Sequence, residues 1–169
     1  MCEKEKFMSK FYETKVKDIM LTTKSEIPRI EENAEVAHVL TILQNKDHVW
    51  VMDSTEPTQL IGVITKSDTI AFFSPPLTSA QSFESPDARS LQFGVMLTAE
   101  EIMSKKPVIT SPDETIRDII VKMKEQKIKQ LPVVDNYGQL IGEISLSGII
   151  QICTKFFNET KQKEKIEIS

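Results

Sequence analysis

Apolar residues at Val36, Val39, Leu40 and Leu43 fall at i, i+3, i+4 and i+7, and Ile116, Ile119, Ile120 and Met123 repeat that stripe 80 residues on, the same offset that takes Gly62 to Gly142. The spacing predicts two amphipathic helices, each burying one face. Ser111-Pro112-Asp113-Glu114 reads as the cap and acidic first turn of the second helix, and Glu31-Glu32-Asn33 does similar work for the first. After each helix comes a β-rich run ending in Asp, HVWVMD (48 to 53) and QLPVVD (130 to 135). A turn follows, with Pro57 in one copy and Gly138 in the other, and then LIGVIT (60 to 65) or LIGEIS (140 to 145), so each pair reads as a hairpin. A last helix closes each unit, Asp68 to Phe73 and Gly148 to about Phe157. Short apolar pieces near Ile27 to Ile30 and Pro107 to Thr110 supply a first strand, giving strand, helix, strand, strand, helix, twice.

The repeat organises the whole chain. VKDIM (16 to 20) answers AEEIM (99 to 103) ahead of the two units. Arrays of identical units need three or more for stability, so two predict something different: halves that bury their apolar faces on each other with approximate two-fold symmetry and two clefts between them. The expected division is an N-terminal extension over 1–15, a first motif over 16–73, a linker over 74–96, a second motif over 97–157 and a charged tail over 158–169. The Ser- and Pro-rich linker carries at most one helical turn near Pro86 to Leu91, and the run NETKQKEKIEIS reads as frayed and solvated rather than as a docking tail.

Composition narrows the function. The chain has 169 residues, 40% apolar and 27% charged, as in soluble globular proteins. No run reaches bilayer length and MCEKEKFMSK lacks a signal's apolar stretch, so the expectation is cytoplasmic, with no membrane partner. Net charge −4 makes nucleic acid an unlikely partner, although Lys105-Lys106 and Lys122 to Lys129 are local basic clusters. Cys2 and Cys153 make no disulfide framework, Cys153 reading as core. His38 and His48 lack ligand spacing, so no metal is expected. The chain has no nucleophile with a plausible His partner and no Walker-type loop, which argues against an enzyme.

One difference between the copies stands out: GVITKSD (62 to 68) keeps an acid that GEISLSG (142 to 148) replaces with Gly148. Thr65-x-x-Asp68 fits a helix-start pattern in which a hydroxyl caps and an acid returns the bond. It fits a binding site as well.

Taken in order, D/E-I-M, apolar helix, h-P-V-V-D and h-I-G-h-h-T/S-x-x-D resemble the CBS motif, and two in tandem resemble a CBS pair, or Bateman module, over about residues 16 to 73 and 97 to 155. The resemblance implies an α/β fold of two β-α-β-β-α repeats related by a pseudo-two-fold axis, often homodimeric, with adenosine ligands (AMP, ADP, ATP or S-adenosylmethionine) in the clefts. It implies that Thr65 contacts phosphate and Asp68 the ribose hydroxyls, beside Val63. Lys105, Pro107 and Val108 would lie beside the adenine, with Lys129 and Gln130 near the phosphates. An ionised carboxylate suits two vicinal hydroxyls, and a helix N-terminus suits phosphate.

The second cleft would use Ser145 and Gly148 with Ile27, Pro28 and Trp50 of the first motif. Gly148 offers a ribose nothing, and Trp50 stands where the second motif has Pro132, so this cleft is expected to be weak, altered or empty. The resulting expectation is a sensor that reports an adenosine ligand to a regulated partner protein, with no cofactor required. The alternative is a ligand-free oligomerisation or interaction module, in which Ser145 only caps its helix, Trp50, Met20 and Met103 are core, and Lys105 and Lys129 are solvated.

Overall fold

A computed structural model describes residues 3–74 and 97–167, with side chains described over 5–74 and 97–159. Cys2 and all but Ser74 of the expected linker lie outside the described residues. The elements run α1 (Glu3–Glu13), a 3-10 turn (Val16–Asp18), β1 (Arg29–Glu31), α2 (Val36–Leu43), β2 (His48–Met52), β3 (Leu60–Thr65), α3 (Thr69–Phe73), α4 (Ala99–Ile102), β4 (Ser104–Lys105), α5 (Ile116–Gln126), β5 (Gln130–Val134), β6 (Leu140–Ser145) and α6 (Leu146–Glu167).

The chain divides into two compact units, and their bounds are not those of the repeats. One unit joins residues 1–24 to 108–169; the other is 25–107. Each repeat therefore gives its leading segment to the unit that holds the other repeat's helix and hairpin.

In the 25–107 unit, β1 to β4 form one sheet in that order, β1 parallel to β2 and the rest antiparallel. β4, the leading segment of the second repeat, pairs Ser104 with Val63 and Lys105 with Gly62. Just before it, Ala99 N–H donates to the Ala34 carbonyl at 2.8 Å and Glu100 N–H to the Glu32 carbonyl at 2.9 Å. The core beneath comprises Ile30, Val36, Val39, Leu43, Val49, Val51, Ile64, Phe72, Ala99 and Ile102.

The other unit repeats this with the same bonds. Val16 N–H donates to the Glu114 carbonyl and Lys17 N–H to the Pro112 carbonyl, both at 2.9 Å. β5 and β6 pair antiparallel, and the two outer positions shrink to single bridges, Thr110 with Val133 and Leu21 with Glu143. The first strand expected over Pro107 to Thr110 is thus one bridge. Phe11, Val16, Ile116, Ile119, Leu131, Val133, Ile144 and Ile149 are among its core, with Cys153 partly buried against it.

Three local expectations need correction. Residues 1–15, expected only as an N-terminal extension, contain a packed helix, since α1 buries Phe11 and sets Phe7 against Phe157 at 4.8 Å between ring centres. The closing helix of the second repeat does not stop near Phe157 but continues to Glu167, as a run rich in Lys, Glu and Gln with good helix propensity permits. The α5 cap is Thr115, whose hydroxyl and N–H bond Asp118, rather than the Ser111 to Glu114 turn; α2 starts after Glu35 with no side-chain cap. Glu114 is instead held by Lys122, at 2.7 Å, and by the hydroxyl of Thr110.

The Asp that ends each first hairpin strand begins a turn. Asp53 Oδ1 accepts from the N–H groups of Thr55 and Glu56, and Asp135 Oδ1 from those of Tyr137 and Gln139. Gly138, at φ 78°, takes the left-handed position that the shorter turn requires.

Candidate functional site

The residues around Asp68 are brought together inside the 25–107 unit. Alternation along β3 sends Ile64 into the core, so Val63 and Thr65 share the opposite face. The chain then turns, Asp68 N–H donating to the Thr65 carbonyl at 3.1 Å. Asp68 Oδ2 accepts both from Thr65 N–H, at 2.7 Å, and from Thr65 Oγ1, at 2.8 Å. The return bond of the helix-start reading is therefore present.

That bond uses one carboxylate oxygen. The other, Oδ1, has Ser104 Oγ at 3.5 Å, the outer limit of a hydrogen bond. The carboxyl is thus oriented from behind by Thr65 and presents its second oxygen beside β4. Ser104 was missed in the sequence. Its signal was the hydroxyl next to Lys105 in a segment that repeats VKDIM, which places it on the strand bordering Val63.

Gly62 makes this closeness possible. A Cβ there would meet the side chain of Met103 and lie 3.2 Å from the Ser104 carbonyl oxygen. β4 lies directly against the β3 backbone for want of that atom. Lys105 is exposed and is the strand partner of Gly62, so it lies on the face of Gly62 and Ile64 rather than with Val63, Thr65 and Ser104, and Pro107 ends the unit. Val108, Lys129 and Gln130 belong to the other unit. There Gln130 is the strand partner of Ser145, and the Lys129 carbonyl accepts from Leu146 N–H at 2.8 Å. α3, five residues long, contributes too little dipole to hold a phosphate by itself.

The counterpart at Ser145 is wired in reverse. Gly148 N–H donates to Ser145 Oγ at 3.1 Å, so this hydroxyl caps its helix. Ile27, Pro28 and Trp50 are together in the 25–107 unit, all buried, with Trp50 N–H donating to the Pro28 carbonyl at 2.9 Å. The Trp50 ring lies edge-on to His48, centres 4.8 Å apart. Among the described residues no three His, Cys, Asp or Glu side chains gather as a metal site, and no helix is long and apolar enough to cross a membrane.

A family model described as CBS domain matches residues 16–74 and 99–155. The chain belongs to the CBS domain family. Among curated relatives it is 28% identical over 149 residues to the protein SDS23 of Vanderwaltozyma polyspora, covering 85% of this chain and 27% of that protein. The chain thus spans about a quarter of the relatives it first matches. Among solved CBS structures it is similar to CBSX2 in complex with AMP, with TM-score 0.67, 19% identity, and 84% of this chain and 97% of that one covered. It is also similar to the CBS domain pair of protein MJ0100 in complex with 5'-methylthioadenosine and S-adenosyl-L-methionine, with TM-score 0.60, 24% identity, and 82% and 94% covered. These likenesses establish the fold of a CBS pair.

Proposed function

We propose that this CBS pair is a regulatory module that binds an adenosine-containing ligand at Asp68 and passes its occupancy on to a partner protein, with no catalytic step of its own. The observation that carries the reading is the division of labour on the carboxyl: Thr65 holds Oδ2 by two short bonds, while Oδ1 has the Ser104 hydroxyl beside it at 3.5 Å. A carboxylate so oriented accepts from vicinal ribose hydroxyls without reorganising. Thr65 Oγ has a single proton, directed at Asp68, so a phosphate that took that bond would leave Asp68 held by the backbone N–H of Thr65. Val63 is the apolar neighbour on the same face of β3, and Lys105 and Pro107 follow Ser104 along the chain within the same unit. The complexes of similar CBS pairs with AMP and with S-adenosyl-L-methionine support the ligand class. Regulation follows by population shift, limited to the ligand's differential affinity for two conformations.

The experiment is a thermal-shift panel of AMP, ADP, ATP and S-adenosylmethionine on the wild type and on Asp68→Ala. A ligand present at a hundred times its Kd stabilises the folded state by about 2.7 kcal/mol. A shift for one ligand that disappears in Asp68→Ala is the expected result; a shift retained in that variant removes the site from Asp68.

A second reading, a ligand-free module that joins two copies of the chain, is favoured by α3, where Ile70 is 69% and Phe73 56% exposed. Sedimentation of the wild type and of Phe73→Ser tests it. A wild-type monomer at high concentration excludes it.

A further inference from the structure

The turn at Asp68 spends its hydrogen-bond donors on itself. Thr65 N–H and Thr65 Oγ1 both donate to Asp68 Oδ2, at 2.7 and 2.8 Å. Along the backbone, Lys66 N–H donates to the Asp47 carbonyl and Asp68 N–H to that of Thr65, both at 3.1 Å, while Thr69 N–H and Ile70 N–H donate to the carbonyls of Lys66 and Ser67 at 3.2 Å. The Thr69 hydroxyl donates to the Lys66 carbonyl at 2.6 Å, and Lys66 Nζ is held by Asp47 at 3.0 Å. Groups of these kinds are what cradles an anion at the start of a helix, and here they have acceptors within the unit. Exposed Ser67 adds only a neutral hydroxyl that water already satisfies. Lys105 belongs to the other face of the sheet. What the turn turns outward is acceptor: the second carboxylate oxygen of Asp68 and the lone pairs of Thr65 Oγ1.

We propose, resting on the adenosine reading of Asp68, that this site draws its affinity from the nucleoside and none from a 5'-phosphate. Its ligand class is adenosine carrying a neutral or cationic 5' substituent. Phosphate oxygens are acceptors, and so are those of the Asp68 carboxylate. To bond Thr65 Oγ1, a phosphate must take the proton that Asp68 Oδ2 now receives, which exchanges one charge-assisted bond for another and brings two like charges together. Accepting from Ser104 Oγ meets the same difficulty, because that hydroxyl lies 3.5 Å from Asp68 Oδ1. A ribose hydroxyl has a proton as well as lone pairs. It can donate to Oδ1 and accept from Ser104 Oγ at once, so the long contact between the two becomes a bridged one and no existing short bond is displaced. The site thus rewards donors on the ligand, and a cation at the 5' end adds attraction to the same carboxylate.

The test is isothermal titration of adenosine, 5'-methylthioadenosine and AMP into the full chain, as wild type, Thr65→Val and Asp68→Ala. A charge-assisted hydrogen bond newly gained by a phosphate is worth about ten- to a hundred-fold in affinity, so its absence leaves adenosine and AMP within about threefold of each other on the wild type. 5'-Methylthioadenosine is expected to bind no more weakly than AMP, and none of the three to bind Asp68→Ala. Val keeps the size of Thr65 and its backbone N–H but removes the hydroxyl that holds Asp68, so Thr65→Val should weaken adenosine and AMP by the same factor. AMP bound about tenfold or more tighter than adenosine by the wild type overturns the proposal and leaves the Asp68 reading standing. A loss confined to AMP in Thr65→Val does the same. Binding of all three ligands by Asp68→Ala, or of none by the wild type, overturns the Asp68 reading and the ligand class with it. Because the wild-type ratio decides the proposal, a Thr65→Val variant that fails to fold leaves it falsifiable.

Discussion

The most instructive perturbation is to replace the polar triad of the second repeat by the apolar triad of the first. Glu114 accepts from Lys122 Nζ at 2.7 and 2.8 Å, from Ser111 N–H at 3.0 Å and from the hydroxyl of Thr110, and Lys122 also donates to the Ile109 carbonyl at 3.0 Å. At the offset of 80 the same positions in the first repeat are Ile30, Ala34 and Ile42, which pack in one apolar cluster. Two solutions to one structural problem thus coexist in the chain. The Glu114 and Lys122 side chains are 28% and 30% exposed, and Thr110 is 2% exposed. Glu114→Ala leaves a buried hydroxyl and a half-buried ammonium without their acceptor. Charge-assisted bonds and unsatisfied buried groups cost about 1–3 kcal/mol each, and partial solvent access trims the total to about 2–3 kcal/mol. For a chain of this size that lowers Tm by about 5–10 °C. The triple variant Thr110→Ile/Glu114→Ala/Lys122→Ile removes the charges together with their desolvation cost, and is expected to lose less than about 1 kcal/mol. Urea titrations of the three single variants and the triple variant measure the coupling. A Glu114→Ala loss below about 0.5 kcal/mol, or a triple loss equal to the sum of the singles, refutes the reasoning.

Acid should act through the same carboxyl. Burial pushes Glu114 up, but the Lys122 ammonium, the Thr110 hydroxyl and the Ser111 N–H outweigh it and hold the group below its ordinary 4.5. With the folded value depressed, the contribution is complete above the unfolded value and is lost as pH falls through the folded one, so Glu114→Gln should flatten the decline of the urea midpoint below about pH 4.5. Gly142→Ala puts a Cβ 3.0 Å from the Leu21 carbonyl oxygen and 2.8 Å from Met20 Sδ, and should cost about 1–3 kcal/mol in urea by forcing the leading segment off β6. Phe11→Ala, in a helix first read as an extension, should cost about 3–5 kcal/mol because Phe11 is 5% exposed in the core. A loss under 1 kcal/mol would return α1 to the status of an extension.

Much of the fold was legible because both periodicities are clean. The stripe from Val36 to Leu43 and the alternation through LIGVIT each bury one face, and such patterns survive tertiary context, while LIGEIS buries Glu143 along with Gly142 and Ile144. Caps were less legible. Ser111-Pro112-Asp113-Glu114 and Thr115-Ile116-Arg117-Asp118 both satisfy the pattern of a polar residue with an acid three places on, and a long-range tie, Ile116 N–H to the Thr14 carbonyl at 2.9 Å, accompanies the later start. α1 was hidden because its apolar Phe7 and Phe11 lie among Lys and Glu, and their packing depends on Phe156 and Phe157, some 150 positions away. Thr65 and Asp68 could be seen as a pair from spacing alone. Ser104 could not, because its place beside Asp68 depends on a strand pairing across 36 residues.

That long pairing changes how the repeat should be read. A duplication is naturally taken as two self-contained units, each carrying its own site. Here VKDIM and its successor Leu21 lie on β6, while AEEIM and its successors Ser104 and Lys105 lie on β3. The groups around Asp68 therefore come from both copies, and so do those around Ser145. A change in one leading segment alters what borders the other copy's hairpin. VKDIM and AEEIM are 83 residues apart where the helices are 80, so the first copy has three extra residues around Leu21 to Ile27, after its leading segment, while β4 keeps two regular pairs with β3. The surroundings of one hairpin have diverged, with Glu143 in place of Val63 and a single bridge at Leu21, while the other keeps its hydroxyl and carboxyl pair. The difference between the two hairpins' surroundings thus lies in the leading segments as well as in the hairpins themselves, because each hairpin is bordered by the other copy's segment.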